Sequence, residues 1–210
     1  MIYKNFITFE GGEGSGKSTQ IKLLKKKLSL YGDIILTREP GGSKGAEDIR
    51  KLLVKGDPKK WSGLTEVLLN YAARNDHIEN IILHNLKKKH FVISDRYSDS
   101  TIIYQGYGRG VNIRLINRLD KLITNNLKPF ITILLDIKPE VGIKRSLTRK
   151  NTELRYEQMP LKYHKKINSS FLKLAKKNKN RFLIVDANLS RNQISNIIWL
   201  HIKHKLKIIN

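Results

Sequence analysis

Gly11-Gly12-Glu13-Gly14-Ser15-Gly16-Lys17-Ser18 sets glycines, a lysine and a hydroxyl at the spacing G-x-x-x-x-G-K-S. Glycines in this pattern let the backbone curl until successive N–H groups converge on phosphate oxygens. Lys17 can then reach the β- and γ-phosphates of a nucleotide, and the Ser18 hydroxyl can ligate Mg²⁺. With Thr19, these residues form the candidate ATP-binding set. The chemistry requires a strand before the loop and a helix after it. Phe6-Ile7-Thr8-Phe9 is an apolar run of strand character, and Ile21, Leu24, Leu28 and Tyr31 recur at helical spacing. The helix N-terminus adds a partial positive charge. A chance glycine-rich turn would not have both flanks.

Further reactive side chains follow apolar runs. Asp95 closes Phe91-Val92-Ile93-Ser94 and is placed to hold Mg²⁺, directly or through water. Arg38 and Glu39 follow Ile34-Ile35-Leu36-Thr37, at a strand's C-terminal end, where open α/β sheets bind ligands. Ser98 to Gly110 is dense in hydroxyls, Tyr104, Gln105 and glycines. It reads as a loop whose backbone approaches a ligand, with a plain surface loop as the alternative. Arg74 and His77 interrupt an apolar helix face; alone, each reads as a paired or hydrogen-bonded structural residue. The basic stretch Lys144 to Arg155 reads as a mobile flap or a solvated helix end.

The elements that position these groups alternate. Strands are predicted over about Asn5–Glu10, Ile34–Thr37, Phe91–Ser94, Ile131–Leu135 and Arg181–Val185. Between them lie helical patterns: one ending near Gly32, one capped by Ser43, one from Gly63 towards Leu86, and one capped by Asn112. Pro139 and Glu140 suit a first helical turn, a helix follows over Leu161–Lys177, and Ser190 with Gln193 forms a capping box for the last. Strands alternating with helices imply a parallel sheet covered on both faces, a single P-loop NTPase-type α/β domain over residues 1–210.

The chain has 210 residues, 40% of them hydrophobic, and no cysteine. Disulfides and cysteine metal sites are excluded, which suits a reducing cytoplasm. No apolar run reaches membrane-spanning length, and the first strand begins too early to leave room for a signal peptide. The net charge of +23 invites a nucleic-acid reading. However, Lys25–Lys27, Lys87–Lys89 and Lys176–Lys177 sit opposite apolar residues, as solvated helix faces do, and lysine, isoleucine and asparagine are abundant together, as in AT-rich coding sequences. A polyanionic small substrate would also benefit from the field.

Taken together, the motifs resemble the bacterial thymidylate kinases over nearly the whole chain. Phe9-Glu10 with the glycine loop carries the resemblance, along with Thr37-Arg38-Glu39-Pro40-Gly41-Gly42, Tyr71-Ala72-Ala73-Arg74 and Asp95-Arg96-Tyr97. So do Ser100-Thr101, Tyr104-Gln105-Gly106-Tyr107-Gly108-Arg109-Gly110, Leu135-Asp136, Pro139-Glu140-Val141-Gly142 and Asp186-Ala187. The resemblance implies phosphoryl transfer from ATP to dTMP with Mg²⁺, a five-stranded sheet, a short helical lid at about 145–158, and a homodimer. It implies catalytic roles for Lys17, Asp95, Arg96 and Arg149, and a metal held by Ser18 and Asp95. Glu13 would lie near the acceptor's sugar and phosphate, Arg38 and Glu39 near its monophosphate, and Arg96 on that phosphate. Arg74 would read the thymine edge, while Ser100, Thr101, Tyr104 and Gln105 line the nucleoside pocket, with Tyr104 where a ribose 2′-hydroxyl would sit. Two positions depart from the family. Asn70, beside Tyr71, stands where many relatives carry an aromatic residue, and Leu154 stands where an acid commonly precedes Arg155.

Other classes compete. A kinase of nucleosides would not need the cationic clamp that Arg96 and Arg74 offer. An ATP-dependent nucleic-acid binder would show basic residues interleaved with aromatics and a steep salt dependence. A catalytically dead relic would not keep Lys17, Ser18 and Asp95.

A transferring phosphoryl group spreads charge over its oxygens and calls for a cation beyond Lys17 and Mg²⁺. Some relatives carry an arginine inside the glycine loop, where this chain has Gly14. Arg149, four residues beyond Arg145 and matched to the family's lid arginine, is the expected source, with Arg155 in reserve. Arg149→Ala is expected to lower kcat on the order of a thousand-fold. Turnover near the parental rate would show that Arg149 is only a solvated charge.

Overall fold

Parallel strands need long crossovers, and crossovers place helices over both faces of a sheet. The computed structural model describes residues 2–148 and 155–208. Its five strands are β1 (Ile2–Glu10), β2 (Ile34–Arg38), β3 (Phe91–Asp95), β4 (Lys128–Asp136) and β5 (Phe182–Asp186). All pair in parallel, in the order β2-β3-β1-β4-β5. The register sets Phe9 and Arg38 opposite Asp95, Glu10 opposite Leu134, and Asp136 opposite Asp186. Every strand therefore delivers its C-terminal residue to one edge, with β1 at the centre. β1 and β4 start earlier than their apolar runs suggest, because their first residues pair at Ile2 and Lys128.

One face is covered by α1 (Lys17–Leu28) and α9 (Arg191–Leu206). Ile21, Leu24 and Leu28 meet Ile194, Ile198 and Ile202 over Ile7, Phe9, Ile131 and Ile133. α1 stops at Leu28, and Gly32 lies in the turn beyond it rather than at the helix end. α9 carries the expected capping box of Ser190 and Gln193. Lys25, Lys26, Lys87–Lys89, Lys176 and Lys177 are exposed, as solvated helix faces require.

The other face carries α2 (Lys44–Val54), α3 (Gly63–His77), α4 (Leu83–Lys87), α5 (Ser98–Thr101), α6 (Ile113–Thr124) and α8 (Leu161–Lys177), while α7 (Pro139–Leu147) packs Val141 against the α1/α9 core. Ser43 occupies the N-cap of α2, but its hydroxyl donates to Asp76 at 2.5 Å instead of capping the helix. α3 and α4 form one rod joined by a π-helical turn over Ile78–Ile82. Asn112 caps α6 as expected.

The segment Ser98 to Gly110 differs from the expected loop. It is helical, α5 running into a π-helical stretch over Ile102–Gly108. Its glycines are small for packing. A Cβ at Gly106 would strike Ile113, and one at Gly108 would strike Tyr163 and Ile167. This helix thereby lies close against α6 and α8 while Tyr104 and Gln105 face the strand ends.

Candidate active site

The glycine loop leaves β1 at Gly11, whose φ of 141° and contact with the Leu135 carbonyl leave no room for a side chain. Gly14 is equally constrained: a Cβ there would run into the Gly142 backbone of α7. The loop therefore rests on α7, and an arginine at position 14 has no place. Gly16, at φ 91°, is the N-cap of α1. Lys17 is buried, and its Nζ donates to the Gly11 and Gly12 carbonyls, each at 3.2 Å. Burial, then Arg96, pushes its pKa down, against the pull of Asp95, Glu13 and Glu10.

Beside the loop opens a cleft of about 330 Å³, lined by Glu13–Ser18, Arg38, Glu39, Asp95, Arg96, Ser100, Thr101, Tyr104 and Gln105. Arg96 is held in a left-handed backbone conformation, φ 71°. Its Nη1 donates to the Gly11 carbonyl at 3.0 Å and to Ser100 Oγ at 3.3 Å, and its Nη2 to Glu13 Oε1 at 2.8 Å. The guanidinium lies over the Tyr104 ring at 4.9 Å, and the Tyr104 hydroxyl donates to Glu13 at 2.9 Å. Burial would raise the Glu13 pKa, but Arg96 and Lys17 outweigh it and hold the carboxylate ionised below its usual range. Burial pushes the Tyr104 hydroxyl up, so it stays a donor.

Asp95 and Ser18 line the same cleft. Asp95 Oδ1 is buried without a hydrogen-bond partner. An orphaned carboxylate oxygen facing a phosphate loop and a serine hydroxyl fits the oxygen-only donor set that Mg²⁺ takes.

Arg38 pairs with Glu47 at 2.8 Å at the cleft mouth. Glu39 reaches the cleft wall, yet its carboxylate is engaged behind it, by Arg74 Nε at 2.7 Å and His77 Nδ1 at 3.2 Å. Burial acts against ionisation of Glu39, and Arg74 and His77 overcome it and depress its pKa. His77, fully buried and also bonded to Thr37 at 2.6 Å, is structural, as its isolation suggested. Arg74, only 2% exposed, also donates to Thr101 at 3.0 Å and keeps Nη1 without a partner. Tyr71 does not face the cleft. Its hydroxyl donates to the Ile116 carbonyl of α6 at 3.2 Å, and Asn70 takes the place on the cleft wall.

Arg155 corrects the expectation of a solvated or catalytic charge. It is buried, donating to the carbonyls of Leu53, Asp57 and Pro58 at 2.9–3.0 Å and to Glu66 Oε1 at 2.6 Å. Arg149 and the rest of the lid segment 149–154 lie outside the described residues. Sequence reasoning also missed Glu157, which lines the cleft and accepts from Ser146 at 3.0 Å, and Glu10. Glu10 is fully buried and accepts from the Tyr97 amide at 2.9 Å and from Ser100 Oγ at 2.7 Å. An acid ending the central apolar strand was the available signal. Burial and the charge of Asp99 push its pKa up to about 7 against Arg96, Ser100 and the Tyr97 amide.

The family model for thymidylate kinase matches residues 9–198. The thymidylate kinase of Ruegeria pomeroyi is 44% identical over 191 residues, covering 90% of each chain. That of Geotalea daltonii is 46% identical over 188 residues, covering 86% of this chain and 88% of its own. The crystal structure of thymidylate kinase from Ehrlichia chaffeensis superposes with a TM-score of 0.77 at 34% identity, covering 94% of this chain and 97% of that one.

Glu10 also predicts a pH dependence. Its folded pKa lies above the ordinary 4.5, so between about pH 4.5 and 7 the folded chain binds more protons than the unfolded one. Its contribution to stability should fall as pH rises through that window. Glu10→Gln should flatten this part of the profile. Denaturation midpoints measured across the window check this, and identical slopes in the two proteins would refute it.

Proposed function

The chain belongs to the thymidylate kinase family, and we propose that it transfers the γ-phosphoryl group of ATP to dTMP, giving dTDP and ADP. The observation that carries this reading is the Arg96 guanidinium. It faces the cleft beside the phosphate loop, braced by Glu13, Ser100 and the Tyr104 ring. A nucleoside acceptor has no dianion to repay such a clamp, whereas a monophosphate does.

The loop amides and Lys17 hold the ATP phosphates. Lys17 is within reach because its present partners are only carbonyls of the loop itself. Ser18 and Asp95 would hold Mg²⁺, which would supply charge neutralisation at the phosphates. Arg96 holds the acceptor phosphate, and Arg38 stands at the mouth. Arg74, held by Glu39 behind the cleft lining, acts there by donating to the hydroxyl of Thr101, which does line the cleft. Phosphoryl transfer depends on alignment and charge more than on proton abstraction, so a cleft of rigidly bonded cations suffices. The surplus positive charge of the surface favours the encounter with polyanionic nucleotides, without a stable nucleic-acid partner.

A homodimer is supported by an apolar strip on adjacent helices: Leu64 and Leu68 of α3 and Leu115 and Leu122 of α6 are 38–74% exposed. Among the described residues, no helix is long and apolar enough to cross a membrane. We place the enzyme with its nucleotide substrates in the cytoplasm.

A coupled assay across nucleoside monophosphates, with thymidine included, tests the reaction. dTMP is expected to be turned over and thymidine not; phosphorylation of thymidine in place of dTMP would overturn the reading. Sugar choice rests on Tyr104, whose ring is wedged among Tyr156, Tyr163 and Phe171. Tyr104→Ala should reduce the kcat/KM preference for dTMP over its ribose analogue by about tenfold, while Tyr104→Phe preserves it. An unchanged ratio in the alanine variant would remove Tyr104 from this role.

A further inference from the structure

Glu66, on α3, has none of the roles assigned above, yet it is 1% exposed and bonded in several directions. Its Oε1 accepts from Arg155 at 2.6 Å, with the Arg109 guanidinium 3.5 Å away. Its Oε2 accepts from Gln105 Nε2 at 3.0 Å, and its backbone carbonyl accepts from Asn70 Nδ2 at 2.8 Å. A carboxylate between two guanidinium groups offers acceptors only. Gln105 must therefore present its NH₂ to Glu66, and the Tyr156 hydroxyl, at 3.2 Å, takes the other N–H. That leaves Gln105 Oε1 for the cleft, which Gln105, Asn70 and Tyr156 all line. Asn70, likewise tied through its NH₂, keeps Oδ1 for the same wall. An amide side chain left alone can present either end; here the Glu66 carboxylate sets Gln105 carbonyl-outward, and the helix backbone at position 66 sets Asn70. Arg155 fixes Glu66 in turn, because the carbonyls of Leu53, Asp57 and Pro58 leave its guanidinium no other orientation.

We propose that Glu66 is a positioning residue for base selection. By holding Gln105 with its oxygen toward the cleft, it makes the acceptor pocket favour a base with an N–H at its pairing edge. A base presenting a ring-nitrogen lone pair there is disfavoured. Resting on the dTMP reading above, this separates thymine, whose N3 carries a proton, from cytosine, whose N3 does not.

The test is kcat/KM for dTMP and for dCMP in the parent, Glu66→Gln, Gln105→Leu and the double variant. An amide at position 66 can donate to Gln105 Oε1, so Gln105 gains the freedom to turn its NH₂ into the cleft. The dTMP-to-dCMP ratio is expected to fall about tenfold in Glu66→Gln, through the acceptor KM values, with KM for ATP unchanged. In the Gln105→Leu background, Glu66→Gln should add nothing. A merely structural Glu66 would lower turnover of both acceptors alike, and an unchanged ratio overturns the proposal. So do additive effects in the double variant. Should Glu66→Gln fail to fold, Gln105→Leu decides alone: a parental ratio overturns the proposal and a tenfold fall supports it. A parent enzyme that phosphorylates neither nucleotide would instead overturn the dTMP reading beneath it.

Discussion

Two adjacent amides hold the active site to the sheet. The N–H of Arg96 donates to the Phe9 carbonyl at 2.8 Å, and the N–H of Tyr97 to the Glu10 carboxylate at 2.9 Å. Both acceptors sit at the end of β1, immediately before the glycine loop. Both donors sit immediately after Asp95, at the end of β3. The left-handed turn at Arg96 costs roughly 1–2 kcal/mol in an L-residue, and these bonds offset it. In return, the glycine loop, Asp95 and Arg96 share one rigid origin. Glu10 adds a third link by accepting from Ser100, which also receives Arg96 Nη1.

Acidic residues are scarce, 18 against 41 lysines and arginines, and several of them are inside. Glu10, Glu39, Glu66, Asp99 and Asp120 are buried. Each draws segments together that are distant in sequence: Glu39 binds Arg74, Glu66 binds Arg155, and Asp99 binds Arg181 at 2.6 Å. Breaking a pair of this kind leaves a charge in a poorly solvated place, so these contacts constrain geometry even where their net stabilisation is small.

Local regularity made much of the fold legible. The strand, glycine loop and helix around Lys17, the five apolar runs, and the Ser190 cap are written in neighbouring residues, where period and turn chemistry operate. What was hidden depends on distant partners. Arg155 looks like one more solvated cation until the 53–58 loop and Glu66 close over it. Tyr71 stands beside the position where relatives carry an aromatic residue, but α6 claims its hydroxyl and Asn70 lines the cleft. The glycines after Ser98 suggest an open loop, whereas they mark where α6 and α8 press against a helix. The site residues followed the same division. Lys17 announces itself in the glycine loop and Asp95 and Arg96 at a strand end, while Glu66 and Glu157 carry no local signature at all.

The two π-helical turns impose a bookkeeping rule on chain length. A residue advances an α-helix by about 100°, so an extra one, housed as a π-turn, re-aims everything on one side of it relative to the other. In the α3–α4 rod, Asn70 and Arg74 lie upstream of the turn, near the cleft, while Leu86 lies downstream and packs under the sheet. Loss of a single residue there would restore a regular helix and put those two sets out of phase. Across homologues, the spacing through Ile78–Ile82 and Ile102–Gly108 should therefore resist insertion and deletion even where the side chains drift.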